Sequence, residues 1–297
     1  MTPDLDLKEY LEARRQLVER ALEAALPMKE GPEARVVEAM RYSLFAGGKR
    51  LRPILCLAAA EAVGGEIQAA MPAACALEMI HTYSLIHDDL PAMDDDHLRR
   101  GKPTNHKVFG EAIAILAGDG LLTEAFVLLS EYNSLLPERA VRLIGVIAKA
   151  ASYRGMVGGQ VVDMLSQNQP ADLETVQQMH SRKTAALICA AAESGALAGK
   201  GNEDQVAAMA RYGMDIGLAF QIADDILDIE GDTELLGKTT GADVARGKVT
   251  YPAAVGLESS REAARDLVND ALAALEGYDR KADPLRVLAN YIVTRKK

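Results

Sequence analysis

The sequence predicts an all-α protein, a single helical domain over residues 1–297, and three observations predict it. Hydrophobic residues make up 49% of the chain, with Ala and Leu abundant, while aromatics are only 4% and Trp is absent. Apolar residues recur at helical spacing through most of the chain. No stretch competes by strand alternation, and no fixed-period repeat occurs. The length permits a substantial core. A formal net charge of −10 argues against nucleic acid as a partner, because neither a basic excess nor aromatic stacking platforms are available. Any anionic ligand must be met by local clusters of cations.

Residues 6–26 alternate charged and apolar groups at helical spacing until KEGPE at 29–33 interrupts them. A second helix is expected over 33–45 and runs into Gly47 and Gly48. There GGKRLRP gathers Lys49, Arg50 and Arg52 within four residues, and Pro53 suits the first turn of the next helix. Alone, such a run is more commonly a solvated basic turn. VGGE at 63–66 makes the next break, and an apolar helix is expected from near Pro72 to Asp89. GKPTNH at 101–106 reads as loop, and 110–132 as a buried helix containing Asp119. Further helices are expected at 137–166, carrying GGQ at 158–160 and Asp163, and at 172–198, carrying Lys183 and Thr184. After a helix over 214–229 comes a glycine-rich loop, 231–252, then helices at 252–276 and 284–294 and a frayed basic tail from Arg295.

Cys56, Cys75 and Cys189 are widely spaced in apolar helical contexts, which reads as free thiols in a reducing cytosol. The start, MTPDLDLKEY, lacks the basic and apolar regions of a signal peptide, and no run approaches the ~18 uninterrupted apolar residues of a membrane span. The expectation is a soluble, cytoplasmic protein with no membrane insertion.

The chemistry concentrates in HTYSLIHDDLPAMDDDHLRR, residues 81–100, where His81, Ser84 and Asp88 share one helical stripe. Pro91 disrupts the helix after Asp88 and Asp89, so the backbone must bend before Asp94, Asp95 and Asp96. Five acids in nine residues repel one another unless a cation or protons compensate, and hard oxygen ligands suit Mg²⁺ better than zinc. Arg99 and Arg100 follow directly, groups suited to a phosphate. A second acidic stripe lies in MDIGLAFQIADDILDI, where Gln221, Asp224, Asp225 and Asp228 recur at i, i+3, i+4 and i+7 in an otherwise apolar helix. Asp224 and Asp228 lie about 6 Å apart along the axis, close enough to share a metal cluster. Two acidic clusters with scattered cations at Lys49, Arg52, Arg99, Arg100, Lys183 and Lys238 imply an anionic substrate held through metal bridges. Helix walls of Ala, Leu, Ile and Met suit an apolar tail attached to a diphosphate. The glycine-rich segment, with Lys238, Arg246 and Lys248, reads either as a lid over phosphates or as a plain linker.

From about residue 35 to the end the chain resembles the all-trans isoprenyl diphosphate synthases, and bacterial farnesyl diphosphate synthases in particular. DDLPAMD resembles that family's first aspartate-rich motif in its longer form and DDILD its second; GGKRLRP, RRGKPT, GGQ, the KT at 183–184, FQIADD, GKTTGAD and KVTYP match their flanks. The resemblance implies a bundle around a deep central cavity, usually as a homodimer. It also implies that Asp88 and Asp94 hold two Mg²⁺ and Asp224 a third, with Asp89, Asp225 and Asp228 in support; Mn²⁺ could substitute. Arg99, Lys183, Thr184, Gln221 and Lys238 would surround an allylic diphosphate, with Lys248 helping to close the lid. Lys49, Arg52, His81 and Arg100 would hold isopentenyl diphosphate.

In that family, side chains at the positions of Tyr83 and Ser84, about one turn deeper than Asp88, set the floor of the tail pocket. A bulky Tyr83 beside a small Ser84, with two extra residues in the first motif, resembles a farnesyl (C15) pattern; C20 is the alternative, and Tyr83 could instead simply pack between helices. Three rivals carry less weight. His87 with Asp88 is reminiscent of metal phosphohydrolases, but these need further histidines and the chain has five in all. A class I terpene cyclase would carry an Asn/Ser/Glu metal motif where DDILD stands. A silent regulatory subunit typically loses one acidic motif, and both are present. Ala185, where many relatives have Gly, and His97, where they often continue with Asp, are small departures.

Overall fold

The computed structural model describes residues 5–131, 135–170, 172–230 and 247–295. Helix α1 (Leu7–Ala25) is capped by Asp6, whose carboxylate accepts the Glu9 N–H. It is followed by α2 (Ala34–Leu44), α3 (Leu51–Ala62) and α4 (Ile67–Asp88). A two-residue antiparallel hairpin, β1 (Leu98–Arg99) with β2 (Lys102–Pro103), leads into α5 (Asn105–Phe109) and α6 (Glu111–Ser130). Then come α7 (Pro137–Ala151), α8 (Met156–Ser166) and α9 (Leu173–His180); a π-helical turn, Ser181–Ala185, joins α9 to α10 (Ala186–Ala198). The chain ends with α11 (Glu203–Glu230), α12 (Tyr251–Val255), α13 (Leu257–Ala273) and α14 (Asp283–Thr294).

At the centre, α4 packs on α3, α6 and α10, and α10 packs in turn on α3, α7 and α11. Helices that are apolar all round must be enclosed, and in α4 the run Ala73 to Ile80 is buried on every side. That run includes Glu78, an acid in the middle of the core. A smaller core of Val176, Ile222, Val249, Tyr251 and Ala264 backs the second acidic helix.

The helices expected at 6–26, 33–45, 110–132 and 284–294 form within two residues of those bounds, and the boundaries that differ do so for identifiable reasons. α4 starts at Ile67, and Pro72 lies inside it, giving up one backbone bond near the N-terminus. The 137–166 stretch is two helices, because Ser152 turns out of the helix and its hydroxyl bonds the Lys149 carbonyl and the Arg154 N–H. α11 begins at Glu203, well before residue 214. The 252–276 stretch breaks at Gly256. The hairpin corrects the expectation of no strand: its turn, Arg100–Gly101, has φ of 54° and 76°, the doubly left-handed geometry that suits two-residue hairpins. α6 is long and apolar enough to cross a membrane by length and composition, and only a third of its apolar window is buried. Ile115, Leu116 and Val127 of α6 are exposed, as are Val157, Val161 and Leu165 on α8.

Candidate active site

The first acidic motif is shaped by backbone. α4 ends at Asp88, Pro91 prevents continuation, and the Asp94 N–H donates to the Asp88 carbonyl at 2.9 Å, folding the segment back on itself. This turn returns Asp94 to Asp88. Burial pushes the Asp88 carboxyl up to about 6, with Asp94 and Asp89 adding to the rise and Lys183 and Arg99 opposing it. Asp89 points elsewhere: it is 3% exposed and paired with Arg99 at 2.6 Å, so it orients that guanidinium. His87 turns toward α6, where Asp119 lies 4.0 Å from its Nε2. Its Nε2 lies 3.0 Å from the Ile115 carbonyl on α6, and its ring lies edge-on to buried Tyr83, which removes the phosphohydrolase reading.

Opposite Asp88 stand α8 and the π-helical turn. Gln160 donates to Asp88 Oδ1 at 2.5 Å, and Asp163 accepts from Lys183 Nζ at 2.5 Å. The turn carries Lys183 and Thr184, and it presses so closely on α8 that a Cβ at Gly159 would meet the Lys183 backbone nitrogen at 2.1 Å. Only glycine fits there. Thr184 donates to Gln221 Oε1 at 2.9 Å, linking the turn to α11. Lys248 reaches within 3.8 Å of Asp94. Asp163, Lys183, Thr184, Gln221, Asp225 and Lys248 are among the walls of one cavity of about 90 Å³.

On α11, Asp225 is 4% exposed and accepts from the Tyr251 N–H at 2.8 Å and from Gln221 at 3.2 Å, with His180 Nε2 at 3.3 Å. It is an internal anchor, whereas Asp224 is half exposed and pairs with Arg295 at 2.5 Å. Arg295 lies over the Phe220 ring at 4.1 Å, so this residue is docked on the second motif. The frayed tail expected from Arg295 onward therefore begins with an ordered residue.

Beside this site is a basic cluster. Arg52 and His81 are half-buried, Lys49 and Arg100 are exposed, and Arg100 bonds the Gly47 carbonyl. Burial holds His81 well below its usual range, reinforced by Arg52, Arg100, Arg99 and Arg50, so it is neutral at neutral pH. Burial also lowers Arg52, with Glu78 opposing.

Among the described residues, no group of three or more acidic, histidine or cysteine side chains converges to hold a metal alone. The donor set nevertheless fits Mg²⁺, which takes one or two carboxylates and completes its shell with water and substrate phosphate. Burial is the main cause of the raised Asp88 carboxyl, and the neighbouring Asp94 and Asp89 add to it. Of the expected site residues, Asp88, Asp94, Lys183, Thr184, Gln221 and Lys248 are brought together. Lys238 lies outside the described residues. Tyr83 is 7% exposed and Ser84 bonds the His81 carbonyl, so Tyr83 packs between helices as well as standing next to the acidic stripe. Sequence reasoning gave no role to Gln160, His180, Arg295 or the Arg50–Glu78 pair; for Gln160 and Asp163 the signal was their i, i+3 spacing after the glycines.

The polyprenyl synthetase family profile matches residues 33–284. The chain is 51% identical over 297 residues to the chloroplastic heterodimeric geranylgeranyl pyrophosphate synthase large subunit 1 of Arabidopsis thaliana, covering 98% of this chain and 80% of that one. It is 49% identical to a dimethylallyltranstransferase of Fischerella ambigua, covering 98% and 84%. Among solved structures, an FPP/GFPP synthase from Zymomonas mobilis matches with TM-score 0.86 at 42% identity, covering 97% and 99%. A geranylgeranyl pyrophosphate synthetase from Pyrococcus horikoshii matches with TM-score 0.89 at 32%, covering 98% of each chain. With the profile, the relatives and the fold in agreement, the chain belongs to the polyprenyl synthetase family, the all-trans isoprenyl diphosphate synthases, and is a trans-prenyltransferase.

Proposed function

We propose that this prenyltransferase condenses isopentenyl diphosphate with dimethylallyl and geranyl diphosphates and stops at all-trans farnesyl diphosphate. The observation that supports it most directly is the folding of Asp94 back onto Asp88 opposite Lys183, beside a separate cationic cluster. Asp88 and Asp94 on one side and Asp224, supported by Asp228, on the other would hold three Mg²⁺, with Mn²⁺ as a substitute. When bound, these ions neutralise the diphosphate and improve it as a leaving group. Asp89 and Asp225 act through the groups they anchor.

Lys183, Thr184, Gln221, Arg99, Lys248 and Lys238 hold the allylic diphosphate and stabilise charge as the C1–oxygen bond breaks and its electron pair leaves with diphosphate. Lys49, Arg52, Arg100 and neutral His81 hold isopentenyl diphosphate so that its double bond faces the allylic cation. A C–C bond forms, and the proton next to the new cation passes to the released diphosphate. The apolar helix walls exclude the water that would quench the cation.

The bulk of Tyr83 one turn below Asp88 supports C15. A second reading, C20, is favoured by the geranylgeranyl pyrophosphate synthases among the relatives, at 49–52% identity. The exposed apolar residues of α6 and α8 support a homodimer, while one relative is named as a heterodimer subunit. The deciding experiment supplies purified protein, Mg²⁺, labelled isopentenyl diphosphate and C5, C10 or C15 primers. Extension ending at C15 supports the farnesyl reading, extension to C20 replaces it, and no elongation by folded protein overturns both.

A further inference from the structure

The GGKRLRP segment places its cations by an unusual backbone. Gly47, Gly48 and Arg50 have φ of 96°, 130° and 51°, and Arg50 holds this left-handed geometry although its side chain resists it. The Gly48 backbone also lies close to Arg100: a Cβ there would lie 2.5 Å from the Arg100 guanidinium, which would have to shift. The result is a division of labour among neighbours. Lys49 is exposed and Arg52 half-buried, while Arg50 turns inward to 2% exposure at the start of α3.

Inside, Arg50 meets a set of partners from three helices. Nη1 donates to Glu78 of α4 at 2.7 Å, Nη2 donates to the Leu44 carbonyl at the end of α2 at 2.7 Å, and Glu19 of α1 lies 3.8 Å from Nε. The Leu44 carbonyl is one of the acceptors that a helix C-terminus leaves unpaired, so this contact is also a cap. Glu78 is itself 2% exposed and stands one helical turn before His81. Its charge favours the ionised forms of Arg52 and Arg100, while Arg50, Arg99 and Arg100 otherwise oppose one another.

Resting on the isopentenyl diphosphate reading above, we propose that Arg50 and Glu78 are the positioning pair of that substrate's site. The pair fixes the left-handed turn from which Lys49 and Arg52 are presented. Glu78 also supplies buried negative charge that lets Arg52 and Arg100 stand together beside His81 before any diphosphate arrives. A competing effect has the opposite sign: a buried carboxylate near an anion site repels the anion, so its removal alone would tighten binding. The direct 2.7 Å pairing decides between them, because removing the Glu78 charge leaves Arg50 charged and buried with only the Leu44 carbonyl and Glu19 at 3.8 Å to compensate it, and the turn must rearrange to solvate it.

The test uses Glu78→Gln, Arg50→Lys and the double variant Arg50→Met/Glu78→Leu. It reads thermal unfolding, both substrates' KM values, kcat, and calorimetric binding of isopentenyl diphosphate alone. Expected are a rise of about tenfold or more in the isopentenyl diphosphate KM and Kd for Glu78→Gln, with less than about threefold change in the allylic KM. Arg50→Lys should keep part of the affinity. The double variant should regain thermal stability, because buried pairs are replaceable by apolar residues, without regaining isopentenyl affinity. Unchanged or tighter isopentenyl binding in Glu78→Gln, or recovery of affinity together with stability in the double variant, would overturn the proposal. If the parent protein fails to condense, the functional reading falls, and calorimetry still decides the positioning role.

Discussion

The two charged pockets differ in how their charges are balanced. Around the acidic motifs, among the described residues, the cations already have acids: Lys183 has Asp163, Arg99 has Asp89, Arg295 has Asp224, and Lys248 approaches Asp94. In the neighbouring cluster, arginines outnumber acids, and Glu78 is the buried carboxylate among Arg50, Arg52 and Arg100. A pocket of balanced ion pairs has little attraction left for a dianion. It gains one when divalent cations bind the carboxylates, whereas the cationic cluster can receive a diphosphate directly. On this view one diphosphate is bound through metal and departs, and the other is bound by side chains and stays.

The comparison breaks most simply on metal dependence. Chelation of Mg²⁺ should abolish condensation while leaving isopentenyl diphosphate binding within about threefold of its original Kd; loss of both would show that the pockets are not separable. Asp88→Ala and Asp224→Ala should each lower kcat by roughly 10³-fold or more with circular dichroism unchanged. A near-parental rate in either purified variant would remove the metal assignment.

An effect of intermediate size tests the other pocket. Arg52→Met should raise the KM for isopentenyl diphosphate by about ten- to a hundredfold, the range of one charge-assisted contact, and leave the allylic KM nearly unchanged. Equal rises in both would mean the two diphosphates share Arg52. Arg295→Ala should do the reverse on a smaller scale: it removes one cation paired with Asp224, so half-saturation should come at a Mg²⁺ concentration about two- to fivefold lower, as measured by metal titration. A higher requirement would mean Arg295 helps to hold the bound state.

The sequence revealed the acidic pocket more fully than the basic one, for a physical reason. Paired acids in an apolar helix are costly to bury and therefore conspicuous, so the two acidic clusters were readable from pattern, and the family resemblance singled out Asp88, Asp94 and Asp224 within them. What Asp89 and Asp225 do was not, because helical spacing says which stripe a carboxylate occupies but not that Arg99 or the Tyr251 N–H will occupy it. Glu78 was hidden by the apolar run around it, and its partner Arg50 by two neighbouring cations of the same sign. Only the left-handed turn separates them. The fold class followed from composition and periodicity. The breaks at Ser152 and Gly256 did not, since each depends on one local choice between continuing a helix and bonding otherwise.

The smallest effect concerns an acid in neither pocket. Burial pushes Asp215 of α11 up to about 6, as it does Asp88, with Asp270 adding to the rise and Arg211 opposing it. A raised carboxyl therefore does not by itself mark a site; what distinguishes Asp88 is the Lys183, Arg99 and Gln160 around it. The sign of the stability effect is fixed by linkage. Between the ordinary value near 3.8 and about 6 the folded protein holds a proton that the unfolded chain has lost, so stability falls as pH rises through that window and is level above it. Asp215→Asn removes this slope. The variant should match its parent at pH below about 4 and exceed it at pH 7 by about 1 kcal/mol after discounting for solvent screening, or about 2 °C in melting temperature. Activity should be unchanged at both ends. A fall in kcat without loss of stability would place Asp215 in the machinery and undo the contrast with Asp88.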